Sequence, residues 1–414
     1  TAQASVGRPG TYLIRGGTVV TGTGQRLANS DVLIRDGRIV QVGGSVSAAG
    51  ATVVDATGKF VYAGMIDSNT DLGLSEIGSV VATQDLNELG DYKPHMRALV
   101  AVNPSSELIP VTRANGVTTA LTAPQGGLIS GQAALIHLDG WTQDEMAIKP
   151  TAGVIIRYPS ATGGGGGGFG GFTPPDSAQE RTQQANMRRQ VTELHEYLYR
   201  AKAYDKGRDA GMTDLELPME ALRPLVSGEV PAIVMAESRE QIEGALRLAD
   251  SLGIKIIISG GAEAWKVADQ LARRNVPVIL GELTRMPGND AAYDEIYAEA
   301  GALHRAGVKF AFSTGDGTNA RHVPYQAAFA VAYGLPADAA WRALTVWPAE
   351  IWGVADKIGT IEVGKSADLF IASGDPLDVR TVVSEVFIAG KRQIMDDRHT
   401  RLYQKYLNRP KAEH

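Results

Sequence analysis

Short apolar runs broken by Gly, Asn or Asp dominate the first stretch of the chain: Tyr12-Leu-Ile, Thr18-Val-Val, Asp31-Val-Leu-Ile, Arg38-Ile-Val-Gln-Val and Thr52-Val-Val. Runs of this length at this spacing predict a small β-sheet domain. The same texture returns in Gly359-Thr-Ile-Glu-Val-Gly, Ala367-Asp-Leu-Phe-Ile and Val382 to Ala389. Both termini are therefore expected to complete one β-domain, a small β-sandwich.

Between them, from Ala63 to Ala355, apolar β runs alternate with helical patterns, which predicts parallel strands joined by helical crossovers. The candidate strands are Ala63 to Asp67, Thr118 to Thr122, Ala134 to Leu138, Val154 to Arg157, Ala232 to Ala236, Lys255 to Ser259, Val278 to Gly281 and Lys309 to Ser313. Eight such strands suit an α/β fold of the (β/α)₈ TIM type. The 134–138 run also reads as a hairpin outside the barrel. Helices are expected over Ser238 to Leu252, Ala264 to Arg274, Ala291 to Ala306 and Ala337 to Leu344, each stopped near Gly, Asn or Pro. The expected domains are 1–62 and 356–400 for the β-domain, 63–355 for the barrel and 401–414 for a tail.

Two further segments stand out. The pattern Gln179 to Ala203, rich in Arg, Glu and Gln, predicts a helix projecting from the barrel. A Gly-rich insertion at 163–175 reads as a flexible surface loop, or as a lid or partner-docking arm anchored by Phe169 and Phe172. No Gly-Lys-Ser/Thr follows it, so it is not a phosphate loop.

Composition narrows the chemistry. With 414 residues, 44% hydrophobic, the chain has enough material for a barrel plus a smaller domain. Forty Lys and Arg against 46 Asp and Glu give a net charge of -6, which supplies no bulk attraction for nucleic acid or an anionic membrane. The absence of Cys excludes disulfides, thiolate zinc sites and cysteine nucleophiles. No apolar run approaches the roughly 20 residues of a membrane span. Thr1-Ala2-Gln3-Ala4-Ser5 carries an Ala-x-Ala pattern like the end of an export signal, so a periplasmic or secreted location is expected, with a cytoplasmic one as the alternative.

Particular residues give the barrel a chemical counterpart. Val61-Tyr-Ala-Gly-Met-Ile-Asp67-Ser-Asn69-Thr-Asp71-Leu-Gly resembles the first barrel strand of the amidohydrolases, whose consensus runs Pro-Gly-Leu-Ile-Asp-x-His-x-His. Asn115-Gly-Val-Thr-Thr-Ala resembles their second strand, and Gly359-Thr-Ile-Glu-Val-Gly-Lys-Ser-Ala-Asp368-Leu-Phe their C-terminal return. Gly374-Asp-Pro-Leu and Val386-Phe-Ile-Ala-Gly-Lys match as well. The resemblance spans nearly the whole chain and is nearest the imidazolonepropionase-like and prolidase-like branch.

That resemblance implies zinc or another divalent metal held by two His of the first strand, a His after strand five, a His after strand six and an Asp after strand eight. A carboxylated Lys or a Glu from strand four often bridges two metals, and metal-bound water attacks an amide or cyclic C–N bond. Here the first-strand positions hold Asn69 and Asp71, the strand-five position falls on Met235 and the strand-six position on Ser259. Asp316, in Phe312-Ser-Thr-Gly-Asp316-Gly, keeps the strand-eight acid, as a catalytic remnant or as a plain loop cap. No Lys aligns at strand four, where Arg157 or Lys149 would be arbitrary choices.

Of the seven His, only His322, six residues after Asp316, is a candidate for the site. Asp71, Glu76, Glu237 and Asp316 form an alternative all-oxygen set suited to Mg²⁺, Mn²⁺ or Ca²⁺. No cofactor is assigned from these residues. Three functions follow as expectations: a non-catalytic subunit in a homo- or hetero-oligomer with an active amidohydrolase relative, an active C–N hydrolase with an atypical mononuclear site using Asp316, or a small-molecule binder.

Overall fold

The computed structural model describes residues 9–161, 177–286 and 291–410. The Gly-rich insertion with Phe169 and Phe172, the opening Thr1 to Ser5 and His414 lie outside the described residues.

The first sheet grows around β1 (Tyr12–Val20). On one side β1 pairs antiparallel with β2 (Arg26–Arg35), and β2 with β3 (Arg38–Gly43). The β2–β3 turn is Asp36-Gly37, both at positive φ (50° and 80°), the geometry whose twist matches a two-residue hairpin. On its other side β1 runs parallel to β4 (Thr52–Asp55) and then to β5 (Phe60–Ala63).

The second sheet is the barrel. Its eight strands follow in chain order around the wall: β6 (Met65–Thr70), β7 (Val117–Thr122), β8 (Ile129–His137), β9 (Ala147–Arg157), β10 (Ala232–Ala236), β11 (Ile256–Gly260), β12 (Val278–Leu280) and β13 (Phe310–Phe312). Side chains alternate as the pleat requires. Ile66, Leu121, Leu135, Ile155, Ile233, Ile257, Ile279 and Ala311 form an inner layer with Trp352. Met65, Ala120, Ile136, Ile156, Val234, Ile258, Val278 and Phe310 share the cluster formed with the surrounding helices. Between β6 and β13 the wall is drawn together by the Gly315 N–H donating to the Asn69 carbonyl at 2.9 Å.

One strand departs from the expected pattern. The 134–138 run belongs to the barrel wall, yet β8 pairs antiparallel with both β7 and β9. Its connections, residues 123–128 and 138–146, are shorter than the dozen or so residues a parallel crossover takes. The expectation of parallel strands throughout is therefore corrected at this position.

The second correction concerns the helix expected to project. It runs Ser177–Asp209, and only its first half stands clear; Leu194, Leu198 and Ala201, spaced for one helical face, are buried in the barrel core. The Arg239–Leu252 helix follows its sequence signals closely, with a Ser238/Gln241 capping box and Gly253 at φ 67° ending it.

The chain then returns to the first sheet. β14 (Leu369–Ala372) pairs with β5, and β15 (Val383–Ile388) and β16 (Lys391–Arg392) extend the edge. The sheet curls until β3 meets the 364–367 segment, the Ile39 N–H donating to the Lys365 carbonyl at 2.9 Å. Tyr12, Ile14, Ile39, Leu369 and Phe387 fill the space enclosed. A helix, Arg398–Leu407, occupies the segment read from sequence as the start of a tail.

Candidate functional site

Three positions singled out from sequence converge at the C-terminal ends of the barrel strands. The Asn69 side-chain amide donates to Ser259 Oγ at 3.2 Å, and Ser259 is the register partner of Met235 across β10 and β11. An amide, a hydroxyl and a thioether thus share the place where the resemblance puts imidazoles.

Below them sits an acid that the sequence reading left aside. Asp67 is fully buried; its Oδ1 accepts from the Thr314 N–H at 3.2 Å and the Asn69 N–H at 3.3 Å, and its Oδ2 lies 2.5 Å from Thr314 Oγ1. Burial pushes its carboxyl up to about 7, against the hydrogen bonds from Thr314 and Asn69 and with Asp71 adding to the rise. Thr314 Oγ1 also lies 3.2 Å from the Asp316 carbonyl. One hydroxyl proton cannot serve both acceptors. With Asp67 protonated, its own O–H donates to Thr314 and Thr314 donates to the carbonyl, which satisfies the whole chain. The sequence signal was an acid set directly after the apolar Met65-Ile66 of a strand.

Asp71 lies on the same rim, its Oδ1 accepting from the Gly317 N–H at 2.5 Å. Burial raises its carboxyl, the Gly317 N–H lowers it and neighbouring Asp316 raises it further. Asp316 itself caps the turn Gly317–His322: Oδ1 accepts from the Thr318 N–H at 2.8 Å and Oδ2 from Asn319 Nδ2 at 3.1 Å. Asp71 and Asp316 are therefore brought together, each already holding a backbone N–H. His322 ends that turn beside Tyr325; burial lowers its imidazole, as does Arg321, while Glu282 opposes.

Glu237 belongs to a different neighbourhood. Its Oε2 accepts from the Ala262 N–H at 3.2 Å and lies 3.7 Å from Arg285 Nη1. With Glu263, Arg285 and Glu295 it lines a cavity of about 210 Å³. The carboxylate lies over Gly260, where a Cβ would come within 2.1 Å of Glu237 Oε1. A larger cavity, about 460 Å³, opens beside Tyr158, Met187, Arg188, Gln241 and Arg247. Among the described residues no three His, Asp or Glu side chains are grouped to hold a metal, so Asp71, Glu76, Glu237 and Asp316 do not form such a set.

Comparison with known proteins gives a consistent family signal. The Amidohydrolase family model matches residues 287–393. A solved amidohydrolase from Thermotoga maritima MSB8 superposes over 92% of this chain and 99% of its own, with a TM-score of 0.81 and 29% identity. Amidohydrolase tasK of Hapsidospora irregularis is 25% identical over 399 residues, 88% of this chain. A D-hydantoinase of Geobacillus stearothermophilus is 42% identical over 80 residues. The chain spans 40% of the length of the first of these curated relatives and 16% of the second. No helix among the described residues is long and apolar enough to cross a membrane.

Proposed function

We propose that this chain, which belongs to the amidohydrolase superfamily, is a member that does not run the superfamily's metal-dependent reaction and works as a subunit associated with an active amidohydrolase. One observation carries the reading. The positions where the resemblance expects imidazoles hold Asn69, Asp71, Met235 and Ser259, and the Asn69 amide is hydrogen-bonded to the Ser259 hydroxyl. Zinc takes imidazole, thiolate or carboxylate ligands. An amide, a thioether and a hydroxyl do not fit that donor set, and Asp71 already holds the Gly317 N–H. The residues present therefore do not fit the divalent metal the family implies.

The test is twofold. Protein purified without chelator is expected to hold no stoichiometric divalent ion by elemental analysis and to leave dipeptides and cyclic ureides uncleaved. Purification from its native source is expected to bring down a second chain that carries His-x-His. A stoichiometric metal together with turnover by the isolated chain refutes the reading.

A second reading, an active C–N hydrolase built on Asp316, draws support from the proximity of Asp71 and Asp316. It requires turnover that Asp316→Asn abolishes; turnover that survives the change rules it out.

A further inference from the structure

The Arg398–Leu407 helix lies on the surface with every residue exposed. At about 100° per residue, Leu402, Tyr406, Tyr403 and Leu407 share one arc of roughly 140° with His399 near its centre, and Arg398 and Lys405 lie along one margin. Arg401 lies roughly opposite the centre of that arc, and it is Arg401 that holds the helix to the barrel, its Nη2 2.7 Å from Glu107 Oε2. The apolar side chains are open to solvent: Tyr403, Tyr406 and Leu407 are 63%, 62% and 63% exposed and Leu402 39%, and the helix buries no residue at all. Isolated helices shorter than about 12–15 residues are marginal in water, and most helical stability comes from packing an amphipathic face. Among the described residues, nothing of its own chain buries the apolar side of this helix.

The same chain displays a surface of complementary character. The 76–91 segment, which follows Asp71 at the barrel mouth, exposes Asp85, Glu88 and Asp91, with Glu76 half-buried and one buried cation, Lys93, reaching the Glu88 carbonyl at 2.7 Å. It exposes Leu89 at 99% and Val81 at 82%, with Ile77 and Val80 also open. A basic apolar helix and an acidic apolar loop, each uncovered among the described residues, match in both charge and chemistry.

We infer that two copies of this chain associate by exchanging these elements, the Arg398–Leu407 helix of each copy lying on the 76–91 segment of the other. A two-fold axis makes the contact twice and closes the assembly. It also sets a helix from the second copy beside the rim that carries Asp71. The inference is independent of whether the barrel mouth is catalytic, and it leaves room for an active relative in the same assembly.

The full chain is expected to sediment as a dimer that weakens as salt is raised. Two surface variants test the match: one with Arg398→Glu and Lys405→Glu, the other with Asp85→Lys and Glu88→Lys. Each alone is expected to lose association by about tenfold or more, since like charges then face each other, and an equimolar mixture is expected to recover it. Circular dichroism identical to the parent keeps a folding defect apart from a lost contact. A monomeric parent chain, single variants that still dimerise, or a mixture that fails to recover overturns the inference. So does a parent that stays monomeric and pellets with phosphatidylserine vesicles through Arg398 and Lys405, which assigns the helix to an anionic membrane surface.

Discussion

Replacing Asp67 with Asn should remove one pH-dependent contribution to stability. The Asp67 carboxyl is pushed from an ordinary 3.8 to about 7 in the folded chain. Between those values the folded state keeps the proton that the unfolded state releases, so stability falls as pH rises. The contribution is complete below about pH 4 and gone above about pH 7; three pH units at about 1.4 kcal/mol each amount to about 4 kcal/mol. An Asn side chain reproduces the protonated acid: its oxygen accepts from the Thr314 and Asn69 N–H groups, and its NH₂ donates to Thr314 Oγ1.

The assay is denaturant unfolding of parent and Asp67→Asn at several values from pH 5 to pH 8, taking the difference between the two at each pH so that other titrating groups cancel. Asp67→Asn should gain on the parent from pH 5 to about pH 7 and level off above it, by an amount on the order of 3 kcal/mol in all. A flat difference would mean that Asp67 is ionised in the fold and that the proton chain through Thr314 to the Asp316 carbonyl is wrong.

Other expectations follow from single contacts. Gly260 sits at φ 96° with Glu237 above it, so Gly260→Ala should cost about 1–3 kcal/mol in thermal unfolding and displace Glu237 from Arg285. Trp352→Ala, which empties the base of the inner barrel layer and removes the indole N–H from Ser68 Oγ, should cost about 3–5 kcal/mol by the same measurement. Asp368 is buried, which raises its carboxyl, yet His137, with Nε2 3.3 Å away, and the Ala389 N–H hold it below the ordinary value. Its stabilisation is present above the unfolded value and lost as pH falls through the folded one. Asp368→Asn should therefore destabilise at pH 7 by about 1–3 kcal/mol and the difference should shrink toward pH 3.

How far the sequence carried these conclusions depended on range. The β-domain strands and the capped helix Arg239–Leu252 were legible because their signals are local: alternation, a Ser/Gln box, a Gly stop. The direction of β8 was not, since an apolar run shows periodicity but not polarity, and only the short connections around it carried the clue. The second half of the Ser177–Asp209 helix hid its burial in three positions scattered among Arg, Glu and Gln. At the mouth, the substitutions at Asn69, Met235 and Ser259 could be aligned with the family pattern, but the Asn69–Ser259 contact could not, because it is made across the barrel mouth by residues 190 positions apart on unpaired strands. Asp67 escaped notice for the same reason: its partner Thr314 lies on the far side of the closing seam.

The reversal of β8 has a meaning beyond topology. A strand that runs downward delivers its last residue, His137, to the floor of the barrel, where it meets Asp368 of the β-domain. At the rim it leaves only the tight turn 123–128, whose backbone is tied to Leu86 and Asp91. One eighth of the wall is thereby withdrawn from the territory where new loops, and new substrate preferences, are ordinarily written. Variation among relatives of this chain should accumulate on the other side of the rim, while changes at His137 register as loosened domains with no direct effect on what the mouth recognises.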